Sequence, residues 1–523
     1  MRKTLNPELR TSNFERDTRW ECIQGSRFKV QGSAFLLLVF ALSALADSTN
    51  LPPGVTPAPY DPKAFRPDPS YTNEAYNADA QLKIYGDKRA VPTTRPLIEL
   101  GRELYRQGPF QPAPDFLGKK NLVFAQLLVS GDWRTAFAIN DVGDNTFSAL
   151  NTRLNLDVDL KLTATERIHA FFRPLDNSGK FTGITFDDGD AEEKLRFDGN
   201  PDALFFEGDL GAISSGFSGK DSRFDLPFTF GLIPLIFQNG VWLEDAFTGF
   251  AFSIPARNSR LFDWSNFDIT FFAGFDKVTS PAFVRSNGKF DDSGASAYGV
   301  TTFIEANKGY WEAGYAYLDD DHSNDNDGDT SYHNLTLAFT RRYFDKVSNS
   351  MRVIGNVGQD SDVPDTQSAN GVIFLLENSL ITSLPSTLVP YCNLFVGLDH
   401  PQSVARDAGA GGILKNTGIL FETDGLTGYP TLDATGNETY GGALGLQYLF
   451  NLNQQIVVEA ATVQIMGSEN RASRSAEGDQ YGLGVRYQLP LNHSWILRAD
   501  AMYGWFDTAK DVAGARVELR YKF

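Results

Sequence analysis

Cysteine is almost missing from this chain. Cys22 and Cys392 are the only two, and Cys22 falls in a segment expected to be removed, so no intramolecular disulfide framework and no cysteine metal cluster is expected. The five histidines, His169, His322, His333, His400 and His493, lack the close spacing of zinc sites. Long apolar runs are missing too. The single apolar stretch, Ala34–Ala46, falls short of the roughly 18 residues that a spanning helix needs. Preceded by Lys29 and ending in Ala44-Leu45-Ala46, it reads as a secretory signal cleaved after Ala46. The charged stretch 1–33 before it is atypically long, as a misassigned start codon would make it. Any membrane residence must then come from strands. Positive charge is scarce as well. The formal net charge is −18, and losing the seven basic and four acidic residues of 1–46 brings it to −21. A generic nucleic-acid surface is thereby excluded, although a basic lining inside is not.

Motifs for catalysis and cofactors are equally lacking. Gly409-Ala410-Gly411-Gly412 has no following Lys-Ser/Thr, so it is no phosphate loop. Gly216-Phe217-Ser218-Gly219 misses the spacing of a nucleophile elbow. The pairs Asp321-His322 and Asp399-His400 read as chance neighbours, and neither an enzyme nor a cofactor is expected. The run Asp319–Asp329 has enough carboxylates to suggest Ca²⁺. With Gly328 at the sixth loop position, however, Ser323 falls first and Asn334 twelfth, where an EF-hand needs an acid and a bidentate Glu. The run reads as a solvated acidic loop, with Asp325, Asp327 and Asp329 the candidate ligands if a metal were held. Asp187–Glu193 is read the same way.

What the chain does have is alternation. Along Arg516–Phe523, charged and apolar side chains alternate without error, so Val517, Leu519, Tyr521 and Phe523 share one face of a strand and Arg516, Glu518, Arg520 and Lys522 the other. Leu150–Leu162 repeats the pattern and turns at Thr163–Glu166 into Arg167–Arg173. Phe267–Phe275, Tyr298–Ala306, Trp311–Tyr317, Leu335–Arg341 and Met351–Val357 follow. The clearest hairpins are Leu444–Phe450 with Ile456–Ile465, and Tyr481–Leu489 with Trp495–Trp505. Short turns such as Pro490–His493 interleave with long polar loops at Asp319–Thr330, Gly467–Asp479 and Asp507–Ala513, and aromatics cluster near strand ends. At roughly 22–25 residues per strand and connection, residues 121–523 predict an all-β, transmembrane antiparallel barrel of about 16–18 strands. Residues 47–120 form a Pro-rich periplasmic linker with one short helix, Thr94–Tyr105, on the stripe Leu97, Leu100 and Leu104.

The signal segment, the hairpins and the ending on Leu519, Tyr521 and Phe523 resemble a Gram-negative outer-membrane porin. The resemblance implies the cell outer membrane, lipid around the wall, and an aromatic end read by the barrel-assembly machinery. Phe228–Ile233, then Asn239-Gly240-Val241-Trp242, Asp245 and Phe250-Ala251-Phe252, resemble the corresponding hairpin region of alginate-export barrels. Leu154–Pro174 is similar to the same group and to carbohydrate-selective porins.

Parity sends the polar face of each strand inward. The expected pore lining comprises the cations Arg153, Lys161, Arg167, Arg173, Arg352, Arg486, Arg498, Arg516, Arg520 and Lys522. Its anions are Asp157, Asp159, Asp268, Glu305, Glu312, Asp500 and Glu518. A positive interior in an acidic protein favours anions, and guanidinium groups grip carboxylates in pairs; cross-strand pairing of these charges is the bland alternative. The stretch Asn378–Gly441 is the best candidate for an inward-folded constriction loop, an ordinary extracellular loop being the other reading. The function read from the chain is passive passage of small hydrophilic solutes, saccharides or anionic saccharides. The alternatives are a non-conducting structural or adhesive barrel and a dedicated anionic polysaccharide exporter. Oligomeric state is not legible.

Overall fold

Alternation at period two builds a wall only if every edge is paired. In this computed structural model, eighteen antiparallel strands close into a ring. The structure describes residues 96–101 and 114–523, except 144, 178, 188–189, 284–294, 321–327, 330, 362–368, 385–386, 423–424, 451–453 and 468–473. The expected signal segment and nearly all of the linker thus lie outside the described residues. The strands are β1 Gln126–Val142, β2 Asn145–Lys161, β3 (Arg167–Phe172, resumed at Lys180–Asp187), β4 Pro201–Asp209, β5 Pro227–Phe237 and β6 Leu243–Ser259. Next come β7 Trp264–Asp276, β8 Ala295–Ala306, β9 Gly309–Asp320, β10 Tyr332–Tyr343, β11 Val347–Val357 and β12 Asn370–Leu380. The ring ends with β13 Leu388–His400, β14 Thr439–Phe450, β15 Gln454–Ile465, β16 Gln480–Pro490, β17 Trp495–Phe506 and β18 Val512–Lys522. Each strand pairs with its sequence neighbours, and β18 pairs with β1 from Asp132↔Lys522 to Val142↔Val512.

The side-chain period then sorts the two faces. Trp133, Phe137 and Ile139 of β1, Leu335 and Leu337 of β10, Leu444 and Leu446 of β14, and Val517 and Leu519 of β18 all stand exposed on the outside. Their neighbours Asp132, Ala136, Asn140, Thr336, Ala443, Arg516 and Glu518 are buried inside. An apolar exterior around a closed sheet is the membrane-spanning solution open to strands. Aromatic pairs mark both rims. At the end carrying the short turns, the Trp495 ring lies tilted 4.7 Å from that of Tyr521, and Tyr521 5.7 Å from Phe523. At the other end Tyr503 lies 4.8 Å from Trp505. Short turns at 307–308, 344–346 and 491–494 define the periplasmic side, with long connections such as 401–438 opposite.

Two local features depart from the sequence reading. Within the expected helix Thr94–Tyr105, Ile98–Gly101 is a strand, paired with β1 from Ile98↔Val129 to Gly101↔Gln126. The Leu97, Leu100 and Leu104 spacing suited a helix, but an open edge of β1 below Phe523 offers backbone partners that an isolated short helix would lack. A helix does exist on the periplasmic side, α1 at Leu210–Ser218, capped by the Asp209 carboxylate through the Ala212 amide.

An arginine at Leu337, midway along the outer face of β10, is expected to cost about 2–4 kcal/mol in equilibrium unfolding from lipid or detergent. Leu337→Val should stay within about 1.5 kcal/mol. A mild cost for Leu337→Arg would mean that this face does not meet hydrocarbon.

Candidate functional site

The lumen is occupied by parts of its own wall. Hairpin β5–β6 pairs with its neighbours only in its lower half: β4 stops at Leu204↔Leu232, and β7 begins at Thr248↔Asp276. Residues 233–247 therefore leave the ring. They bend where Gly231 faces Gly249, with Gly231 at φ +125° and a register shift beside Gly249. A side chain at Gly249 would strike the Ala273 carbonyl, so the kink needs glycine. The tip reaches β10, four strands away. Trp242 Nε1 donates to Asn334 Oδ1 at 2.8 Å, and Thr336 Oγ1 donates to Gln238 Oε1 at 2.9 Å. The indole is fully buried over Gly314 of β9, where a Cβ would fall 2.4 Å from the ring. Burying an indole of about 200 Å² contributes up to about 5 kcal/mol, enough to hold a hairpin off the wall.

Loop 401–438, between β13 and β14, lies against that tip. Ala405–Arg406 adds to Leu243–Glu244 as a short parallel strand, and the buried Arg406 guanidinium donates to the carbonyl of Gly240. The loop then crosses the ring. Asn393 of β13 donates to the Thr417 carbonyl at 2.6 Å. Glu459 of β15 accepts the Ile419 and Leu420 amides, each at 2.9 Å, and the Tyr391 hydroxyl. Asn151 of β2 and Asn140 of β1 donate to the carbonyls of Leu426 and Thr427. Leu414, Leu420, Phe421 and Leu432 pack on inward Ile373, Phe395, Ala443 and Val463 in one apolar core shared with Trp242. Of Asn378–Gly441, then, the first part is two wall strands and 401–438 is the inward-folded constriction; the ordinary extracellular loop reading does not hold. A third intrusion comes from β3, where nine residues, 173–181, face only three of β2.

The structure places the expected lining charges on the strands and supplies their partners. Those that lie within strands share the parity of the buried inward positions, whereas Arg173 falls just beyond the first segment of β3, at the start of the excursion. Arg486, Arg498 and Arg516 converge on Asp500 at 2.7, 2.8 and 2.8 Å. Glu518 binds Arg134 at 2.7 Å, Arg520 binds Asp132 at 2.8 Å, and Arg352 binds Glu377 at 2.8 Å. Arg173 reaches Asp202 at 2.6 Å, Arg153 reaches Asp176 at 3.8 Å, and Arg167 bridges Glu207 and Asp159. Lys161 stands opposite Gln126, and Lys522 opposite Asp132. Asp157, Asp268, Glu305 and Glu312 make no ion pair with a described residue. Arg134, Asp132, Glu207, Glu377 and Glu459 were missed, although the alternation Asp132-Trp133-Arg134-Thr135 shows the same pattern as β18. Of the candidate metal ligands, Asp325 and Asp327 lie outside the described residues, and Asp329 belongs to a two-residue strand paired with Asp360–Ser361. Among the described residues no cluster fit for a metal occurs.

The parity rule fails in one respect. In the extracellular half many inward positions are small or apolar, as at Ala138, Ala297, Ala316 and Ile354, and polar ones such as Asn140 and Asn334 are uncharged and hydrogen-bond the loop and the hairpin. Open space remains nearer the periplasm. A cavity of about 680 Å³ lies above α1, bounded by Arg167, Glu207, Thr229, Ser253 and Asp225.

Two anchors of the constriction can be tested by hydrogen–deuterium exchange. Glu459→Ala strands the Ile419 and Leu420 amides without acceptors, so loop protection should drop by about 1–3 kcal/mol of opening free energy. Unchanged protection would remove Glu459 as the anchor. Asp433, within the loop, loses hydration on burial, and its carboxyl is pushed up to about 6 against opposing hydrogen bonds from Thr435. Docking takes up a proton, so it is weakest above about pH 6 and strengthens as pH falls toward the ordinary carboxylate range. Protection of 401–438 should rise between pH 7.5 and 5, and Asp433→Asn should abolish that rise.

No protein-family model matches the chain, and no curated protein does. Among solved structures, it is similar to OccK2 (OpdF) of Pseudomonas aeruginosa, with a TM-score of 0.48 at 10% identity over 76% of this chain and 97% of that one. OccK5 (OpdH) of the same organism gives 0.47 at 10% identity over 76% and 98%. Wzi of Escherichia coli, an outer-membrane carbohydrate-binding β-barrel involved in group 1 capsule assembly, gives 0.43 at 13% identity over 75% and 85%. The assignment of this chain rests on its own wall: closed through eighteen strands, apolar outside and charged within, it is an outer-membrane β-barrel.

Proposed function

We propose that the barrel is a passive channel for small hydrophilic solutes, with a preference for anionic ones such as acidic saccharides. The observation that carries this reading is the convergence of Arg486, Arg498 and Arg516 on the single carboxylate of Asp500, beside the constriction loop. Three guanidiniums meet two carboxylates, Asp500 of the wall and Glu422 of the loop, so the cluster keeps a net positive charge. Such rings favour anions in a narrow pore, and their planar forks suit carboxylates. Arg153 of β2 and Arg173, at the start of the third intrusion, place a second pair of guanidiniums toward the lumen, each beside a carboxylate, Asp176 or Asp202.

The apolar packing of hairpin and loop supports a second reading, a barrel that stays shut and serves a structural role. Conductance in planar bilayers separates the two. Purified protein should open channels more permeable to anions than to cations, and Arg498→Ala and Arg153→Ala should each lower that ratio. Cation preference would refute the basic-lumen argument, and a silent membrane would refute the channel itself.

A further inference from the structure

We propose that Glu422 is the resident ligand of a carboxylate-exchange site, displaced in turn by the carboxylate of each passing solute. The proposal rests on the channel reading above and goes further, since it names the residue that sets how tightly an anionic solute is held. Glu422 sits on the constriction loop and shares its two oxygens between two arginines. Arg486 Nη1 lies 2.6 Å from Oε2, and Arg498 Nη2 lies 3.7 Å from Oε1. Asp500 holds the same two guanidiniums from the wall side. The two carboxylates differ in access: the Asp500 side chain is 4% exposed and that of Glu422 is 35% exposed. Asp500 is therefore a fixed support that orients the forks, and Glu422 is the partner at the open edge.

Glu422 is not what keeps the loop in place. The preceding residues are held through the Ile419 and Leu420 amides on Glu459 and through the Thr417 carbonyl on Asn393, and the following stretch through the Asp433 amide on Gln480. The side chain can leave its arginines while the backbone stays docked. An incoming carboxylate then replaces a carboxylate, so the guanidiniums are never stripped of a partner inside the protein, the costly outcome for a buried charge. Conduction needs a site that binds well enough to admit a solute and weakly enough to release it. A competing internal carboxylate provides that weakness, because the site is available only for the fraction of time that Glu422 is away.

Block of the chloride current by sodium glucuronate, with glucose as control, tests the idea in single channels. Glu422→Gln should lower the apparent dissociation constant for glucuronate about tenfold, on the basis that the resident ligand occupies the site for most of the time. Glucose block should stay as in the wild type, since glucose carries no carboxylate for the forks to hold. Arg486→Lys, which keeps the charge but loses the fork, should weaken glucuronate block. An unchanged or raised constant in Glu422→Gln would overturn the proposal. So would a jump of that variant to a larger conductance state, which would make Glu422 a loop clamp, or undiminished glucuronate block in Arg486→Lys. A wild-type protein with no current to block would instead bring down the channel reading, and the exchange site with it.

Discussion

Everything in this molecule depends on ring closure. Inside a bilayer no water is available to satisfy a backbone amide, so a sheet survives there only when its last strand pairs with its first. Here that seam runs over eleven residue pairs, from Asp132↔Lys522 to Val142↔Val512, and ends with Phe523 and Gly131 exchanging both backbone hydrogen bonds. With the edges gone, the period-two pattern acquires fixed meaning on every strand: one parity faces lipid and the other the lumen. The charges read from the final eight residues face inward because the seam sets their register, since a slip of one residue would turn Arg516 and Arg520 into the membrane.

A ring of eighteen strands is wide, and the second constraint is how to fill it. The protein spends wall segments for this purpose. A hairpin kinked at paired glycines and a long loop fold inward and share a core with the wall, and the nine-residue excursion adds Phe181 against Ala136 and Leu426, so the upper lumen is packed like a soluble protein interior. Charged side chains gather chiefly beside and below that plug. Glu459 is the most economical of its anchors, since one buried carboxylate satisfies two consecutive loop amides and a tyrosine hydroxyl.

The wall was legible because its rule is local. The alternating strands, the contrast between their two faces and the upper bound of the expected strand number all follow from residue period and turn spacing. The plug was only half legible. Its long loop stood out by length and composition, but nothing local says whether such a loop folds in or out. A signal was present in the inward positions that face it. Gly482 and Gly484 of β16 leave room for Leu420 and Leu432, and Gly504 and Gly514 lie under Leu432 and Pro430. A run of small residues on the face that parity assigns to the lumen marks a wall that expects company. The strand Ile98–Gly101 was misread for the opposite reason: its leucine spacing suited a helix, and only tertiary structure supplied the partner edge.

That same strand bears on how the barrel can be handled. Ile98–Gly101 runs alongside β1 in the direction of β18, taking up the pairing just below the point where Phe523 ends it. Residues fused after Phe523 would extend along β1 into that place and compete with it. An affinity tag or reporter belongs on an extracellular connection such as 507–511, where the exposed chain turns between β17 and β18, far from the edge of β1 that Ile98–Gly101 occupies.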